Sequence, residues 1–126
     1  MKVLYVDDDR VNTLLFVETC RFAPGVQVET ALTGAEALER VQTWTPEMLV
    51  IDLHLPDTTG YELLPALRAS LAAPTLPAFL CTADEAQRVA GPAQAAGFDG
   101  CWTKPVDLAL VLNELARRSA GRNPTP

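Results

Sequence analysis

Short runs of consecutive apolar residues alternate along the chain with segments whose apolar positions recur at helical spacing. Lys2–Val6 is a β-rich run that ends in three acids, Asp7, Asp8 and Asp9. Val11, Leu14, Leu15 and Phe22 then fall on one helical face, and Pro24-Gly25 closes that segment. Val26–Thr30 reads as a second strand. Thr33-Gly34-Ala35-Glu36 has the form of a capping box, in which the Thr33 hydroxyl accepts from the Glu36 N–H and Glu36 reaches back. The helix it opens turns Ala37, Leu38 and Val41 inward. In Met48–Asp52 four apolar residues run straight into a carboxylate, between Pro46 and Pro56. A continuous apolar run of this length suits a strand buried on both faces of a parallel sheet.

A helix is expected from about Gly60 to Ser70, with Pro65 tolerable only if that helix starts late, where N–H groups lack intrahelical partners. Pro74 and Pro77 frame the next connection, and Ala78–Cys81 is a fourth strand ending at Thr82. Asp84–Ala96 reads as a helix that Gly91-Pro92 kinks or divides into two pieces, since an interior proline costs about 3 kcal/mol. A fifth strand near Gly100–Thr103 ends at Lys104-Pro105. Leu108, Val111, Leu112 and Leu115 then repeat at i, i+3, i+4 and i+7, the spacing of a helix packed on one side. Five strands alternating with helices predict an α/β fold, a doubly wound five-stranded parallel sheet flanked by five helices. Residues 1–120 form its single domain, and 121–126 a disordered tail or linker stub.

Composition narrows the function. No apolar run approaches the roughly 18–20 residues that a membrane span needs, and the N-terminus turns acidic too soon for a signal peptide. A cytoplasmic protein with no membrane contact is the expectation. The net charge of −6 argues against binding nucleic acid by itself, because no basic stripe is available to neutralise phosphates. Cys20, Cys81 and Cys101 show neither CxxC nor close histidine spacing, so they read as reduced thiols. The single histidine, His54, excludes a His-pair metal site.

The strand ends carry the chemistry. The first predicted strand ends in Asp7-Asp8, the third in Asp52, the fourth in Thr82 and the fifth in Lys104, and all converge on the carboxyl edge of the sheet, where α/β folds collect reactive groups. Carboxylates gathered this closely repel by roughly 4 kcal/mol per pair at an effective dielectric near 20. Such a cluster needs a cation, or one member must be protonated. Oxygen donors without His or Cys favour Mg²⁺ or Mn²⁺. Lys104 adds a point charge and Thr82 a hydroxyl donor, which together suit phosphoryl transfer to a carboxylate nucleophile.

Over about residues 2–119 the chain resembles a response-regulator receiver domain of two-component phosphorelay signalling. The resemblance rests on Val3-Leu4-Tyr5-Val6-Asp7-Asp8-Asp9, Pro46-Glu47-Met48-Leu49-Val50-Ile51-Asp52, Leu55-Pro56 with Gly60, Cys81-Thr82-Ala83, and Thr103-Lys104-Pro105. It implies the flavodoxin-like strand order 2-1-3-4-5. It also implies that Asp52 accepts a phosphoryl group from the phosphohistidine of a histidine kinase or histidine phosphotransfer domain. In that scheme Asp52 is both nucleophile and metal ligand, Asp8 binds Mg²⁺ directly, Asp7 mostly through water, and His54 through its backbone carbonyl. Thr82 donates to the phosphoryl group, Lys104 pairs with it, and the Lys104–Pro105 bond is cis. Asp9 is a helix N-terminal residue. His54 and Asp84 flank the path of a water attacking the acyl phosphate.

Two positions depart from the family pattern. Cys101 stands where an aromatic switch residue is common, with Trp102 expected to point the other way, and Gly91-Pro92 falls in the helix that often passes the signal on. These departures keep alive a second reading, a receiver-fold interaction module that works independently of phosphorylation. On the first reading the protein is a self-phosphorylating and self-dephosphorylating switch without a turnover substrate. A Mg²⁺-dependent phosphatase would need a second acid where His54 stands. Cys81 ends its strand beside Cys101, and a redox-linked pair is a minor alternative that a reducing cytosol disfavours. The downstream partner is not readable, and the absence of an effector segment before residue 126 leaves a stand-alone receiver or a piece of a larger regulator or hybrid kinase.

Overall fold

A computed structural model of the protein describes residues 1–84, 86–104 and 107–122. Among these, five strands alternate with five helices: β1 (Lys2–Val6), α1 (Arg10–Cys20), β2 (Gln27–Ala31), α2 (Gly34–Arg40), β3 (Met48–Asp52), α3 (Gly60–Ser70), β4 (Ala78–Thr82), α4 (Ala86–Ala95), β5 (Gly100–Thr103) and α5 (Leu108–Arg122). The strands form one parallel sheet in the order β2-β1-β3-β4-β5. β3 lies at its centre and every one of its residues is buried, as its unbroken apolar run requires.

The pleat divides the core in two. Leu4, Val6, Leu49, Ile51, Ala78 and Leu80 face α2, α3 and α4, which contribute Ala37, Leu63, Leu64, Leu67, Val89 and Ala93. Val3, Tyr5, Met48, Val50, Phe79, Cys81 and Trp102 face α1 and α5, which contribute Phe16, Cys20, Val111 and Leu115. Successive strand side chains point to opposite faces, so this partition follows from the register alone. It answers the thiol question. Cys101 pairs in register with Leu80 and Cys81 with Trp102, which sends the two sulfurs to opposite sides of the sheet and rules out a redox pair. Trp102 points away from Cys101, as the pleat predicts, and stacks on Phe79 with centroids 4.8 Å apart.

The caps explain where the helices begin. Asp9 caps α1, accepting from the N–H groups of Val11 and Asn12 at 2.9 and 3.1 Å. Thr33 caps α2, accepting from Glu36 N–H at 3.0 Å, whereas the Glu36 carboxylate lies 3.6 Å from the Arg40 guanidinium instead of reaching back. The Asp57 carboxylate, in the loop after β3, accepts from the Gly34 and Ala35 N–H groups, both at 2.9 Å. Those bonds hold its pKa below the usual carboxylate range and tie that loop to the start of α2.

Several expectations are corrected. β2 begins and ends one residue later than its pattern suggests. Pro65 lies inside α3, which starts at Gly60 rather than late, and Pro92 lies inside a single α4. Both prolines are exposed, on the side of each helix away from the core, while Leu63, Leu64 and Leu67, or Val89 and Ala93, anchor the opposite side. The face made by Val11, Leu14, Leu15 and Phe22 points to solvent; α1 buries Phe16, Thr19 and Cys20 instead. α5 continues to Arg122, while residues 123–126 and the Lys104–Pro105 bond lie outside the described residues.

Candidate functional site

β1, β3, β4 and β5 deliver their last residues, or the ones just after, to one edge of the sheet. Asp7 follows β1 and is fully buried, Asp52 closes β3 and is 6% exposed, and Thr82 closes β4 and is buried. Asp8 is exposed at the rim. Carboxylate oxygens of Asp7, Asp8 and Asp52 lie within 4.8 Å of one another. The Lys104 ammonium sits against them, 2.9 Å from Asp7 Oδ2 and 3.2 Å from Asp52 Oδ2. Lys104 thus contacts two of the three clustered carboxylates directly.

Burial is the largest single influence on the charges of Asp52 and Lys104. Removal from water, reinforced by the charge of Asp7 and opposed by Lys104, raises the Asp52 pKa to about 6. Burial works against the Lys104 charge as well. Its hydrogen bond to Asp7 and the charge of Asp52 outweigh this, so the pKa is held above the ordinary lysine range. Lys104 thus neutralises part of a carboxylate cluster that is otherwise repulsive. The donor set fits a hard divalent cation: three carboxylates converge, and oxygen ligands without nitrogen or sulfur are the preference of Mg²⁺ and Mn²⁺.

Thr82 Oγ1 accepts from the Asp84 N–H at 3.1 Å, which leaves its own hydrogen available to a neighbouring oxygen. The His54 N–H faces Asp52 Oδ1 at 3.4 Å. The His54 imidazole turns outward instead, with Nε2 3.0 Å from Asp84 Oδ2. This pair links the loop after β3 to the loop after β4 across the mouth of the site.

Sequence reasoning missed one participant. Tyr5, fully buried in β1, donates its hydroxyl to Asp7 Oδ2 at 2.9 Å. Burial, then the neighbouring Cys81 and Asp7, raise its pKa well above the usual tyrosine range. The signal was the two-residue spacing from Tyr5 to Asp7, which puts both side chains on one face of an extended segment.

A parallel 2-1-3-4-5 sheet whose carboxyl edge gathers an acid pair, a strand-end aspartate, a threonine and a lysine defines a flavodoxin-like receiver fold. The model of the response regulator receiver domain matches residues 3–116, and the chain belongs to that family. It is 35% identical over 138 aligned residues to the virulence sensor protein BvgS of Bordetella bronchiseptica, covering all of this chain and 11% of BvgS. It is 38% identical over 125 residues to the transcriptional regulatory protein TrcR of Mycobacterium tuberculosis, covering 95% of the chain and 47% of TrcR. The chain therefore spans less than half the length of either relative. The BeF3-activated DrrB receiver domain superposes with a TM-score of 0.81 at 25% identity, over 94% of this chain and 97% of that one. Among the described residues no helix is long and apolar enough to cross a membrane.

Proposed function

We propose that the protein is a phosphoacceptor switch in which Asp52 receives a phosphoryl group from the phosphohistidine of a histidine kinase or histidine phosphotransfer domain. The observation that carries this reading is the meeting of Asp7, Asp8, Asp52 and Lys104 at one sheet edge. In the transfer an oxygen of the Asp52 carboxylate attacks phosphorus and the phosphohistidine N–P bond breaks. The imidazole leaves neutral, with its other nitrogen carrying the proton. In the reverse direction of signalling, water attacks phosphorus and the Asp52 O–P bond breaks. Asp52 carboxylate and inorganic phosphate are regenerated, and a proton passes to solvent. No turnover substrate other than the phosphoryl donor is involved.

Asp7, Asp8, Asp52 and the His54 backbone carbonyl would hold Mg²⁺ or Mn²⁺, which when bound offsets the charge that builds on the phosphoryl oxygens. Lys104 supplies an ammonium to one of those oxygens and Thr82 a hydroxyl, both as charge-assisted hydrogen bonds. Similarity to proteins named as a sensor kinase/phosphatase, a virulence sensor and a transcriptional regulator supports a kinase-linked donor and leaves the output open.

Incubation with acetyl phosphate and Mg²⁺, followed by intact-mass measurement, tests the reading. The native chain should gain one phosphoryl group, and chelation of the metal should prevent it. Asp52→Asn and Asp8→Ala should both abolish labelling. Asp9→Ala should retain it, because Asp9 caps α1 and lies outside the acid cluster. Equal labelling of Asp52→Asn would sink the assignment.

A further inference from the structure

Asp7 is the most deeply set carboxylate of the site, and both of its oxygens are engaged. Oδ1 accepts the Asp9 N–H at 2.9 Å. Oδ2 accepts the Lys104 ammonium at 2.9 Å and the Tyr5 hydroxyl at 2.9 Å. Tyr5 is the neutral side chain among these donors. Its ring lies in the α1/α5 half of the core, stacked on Phe16 with centroids 4.3 Å apart and planes 15° from parallel. The rest of β1 after Lys2 is Val3, Leu4 and Val6, so an aliphatic residue would serve the core at position 5 equally well. A hydroxyl is costly to bury without a partner, and this one finds its partner in the acid cluster and not in the backbone.

We propose that Tyr5 is a positioning residue for the divalent-cation site, its hydroxyl fixing the Asp7 carboxylate when Lys104 gives way. The proposal rests on the assignment of Asp7, Asp8 and Asp52 as the metal-holding set. The Lys104 ammonium and a divalent cation carry like charge, and they compete for the same carboxylate oxygens. The Tyr5 hydroxyl carries no charge and shares Oδ2 without that conflict. It is therefore the side-chain contact of Asp7 that persists in both conditions. Without it Asp7 keeps one backbone donor, on Oδ1, and Oδ2 is free to turn away from the cluster. Donors standing behind a metal-binding carboxylate set its orientation, and losing one typically weakens metal binding by about 10–100-fold.

Binding of Mn²⁺, followed by the electron paramagnetic resonance of the free ion with Mg²⁺ as competitor, tests this on the native chain, Tyr5→Phe and Asp8→Ala. The native chain should bind, Asp8→Ala should not, and Tyr5→Phe should bind on the order of 10-fold more weakly. Tyr5→Phe keeps the ring and its stacking on Phe16, so a role confined to packing would lower the melting temperature at most and leave the affinity alone. Equal affinity of native chain and Tyr5→Phe overturns the positioning role. Failure of the native chain to bind Mn²⁺ overturns the cation site itself, and the role of Tyr5 with it. A second measurement does not depend on that variant folding. The chain has two tyrosines, so Tyr61→Phe labelled with ¹³Cζ-tyrosine reports Tyr5 alone. Its resonance should move during Mg²⁺ titration with a midpoint equal to the binding constant, and a resonance that stays still to saturation refutes the proposal.

Discussion

His54 is 68% exposed at its side chain and Asp84 42%, and ion pairs this open to solvent contribute little to stability, about 0–1 kcal/mol. Their consequence lies in access, because the pair spans the mouth of the site two residues beyond Asp52 and two beyond Thr82. His54→Ala and Asp84→Ala should each alter the rate at which phosphate is released from phosphorylated Asp52, with changes in stability of no more than about 1 kcal/mol. Release rates identical to the native chain in both variants would remove the pair from the mechanism. The meeting of Asp7, Asp8, Asp52 and Lys104 was legible in the sequence because each lies at a strand end or within two residues beyond it, as does Thr82, and parallel strands deliver their ends to one edge. The Tyr5 hydroxyl was not, because a tyrosine within an aliphatic strand reads first as core. The outward turn of His54 depends on a partner thirty residues away, which no local pattern encodes.

Gly60, the first residue of α3, shows how closely an element must approach the site to position it. A Cβ there would stand 2.8 Å from Leu80 Cδ1 and 2.9 Å from the Asp52 backbone oxygen. The Leu80 methyl has room to adjust only at the expense of the core, and the Asp52 carbonyl belongs to the central strand. Gly60→Ala should therefore destabilise the fold by about 1–3 kcal/mol, the usual range for overpacking, read as a lower urea midpoint at unchanged slope. A midpoint equal to that of the native chain would show that α3 shifts freely. The sequence located β1 and β3 to the residue and placed α3 and β5 approximately, because unbroken apolar runs mark the first two and Pro46 precedes β3. It placed β2 one residue early, since that edge strand is only partly buried and its pattern is weak. Periodicity found a face on α1 but not its direction: Phe16, Thr19 and Cys20 hold the core side, which leaves Val11, Leu14 and Leu15 outside. Pro65 and Pro92 carry local penalties that burial on the far side of each helix outweighs.

On the proposed reading, Thr82, Cys101 and α4 should together set how far a change at Asp52 travels. Cys101 is half-buried and lines an open cavity of about 480 Å³ with Ala90, Ala93, Gln94, Phe98 and Asp99. A thiol is too small to fill the space that Thr82 would vacate on moving toward a phosphoryl group. The contacts of Thr82 and Lys104 should still form, but the change passed to α4 and β5 should be small, and partner affinity should differ little between the two states. Amide NMR shifts with beryllofluoride should accordingly be confined near Asp52 in the native chain, and Cys101→Tyr should extend them. Large changes throughout residues 84–103 of the native chain would refute a muted switch. The division of the core across the sheet also has an optical consequence. The chain has two tryptophans: Trp102 is packed on Phe79 on the α1/α5 side, and Trp44 borders the α2/α3/α4 side beneath the Lys2 ammonium, 5.7 Å from its ring centroid. Each layer thus carries its own intrinsic fluorophore, and substituting either one leaves an emission spectrum that reports the other layer alone.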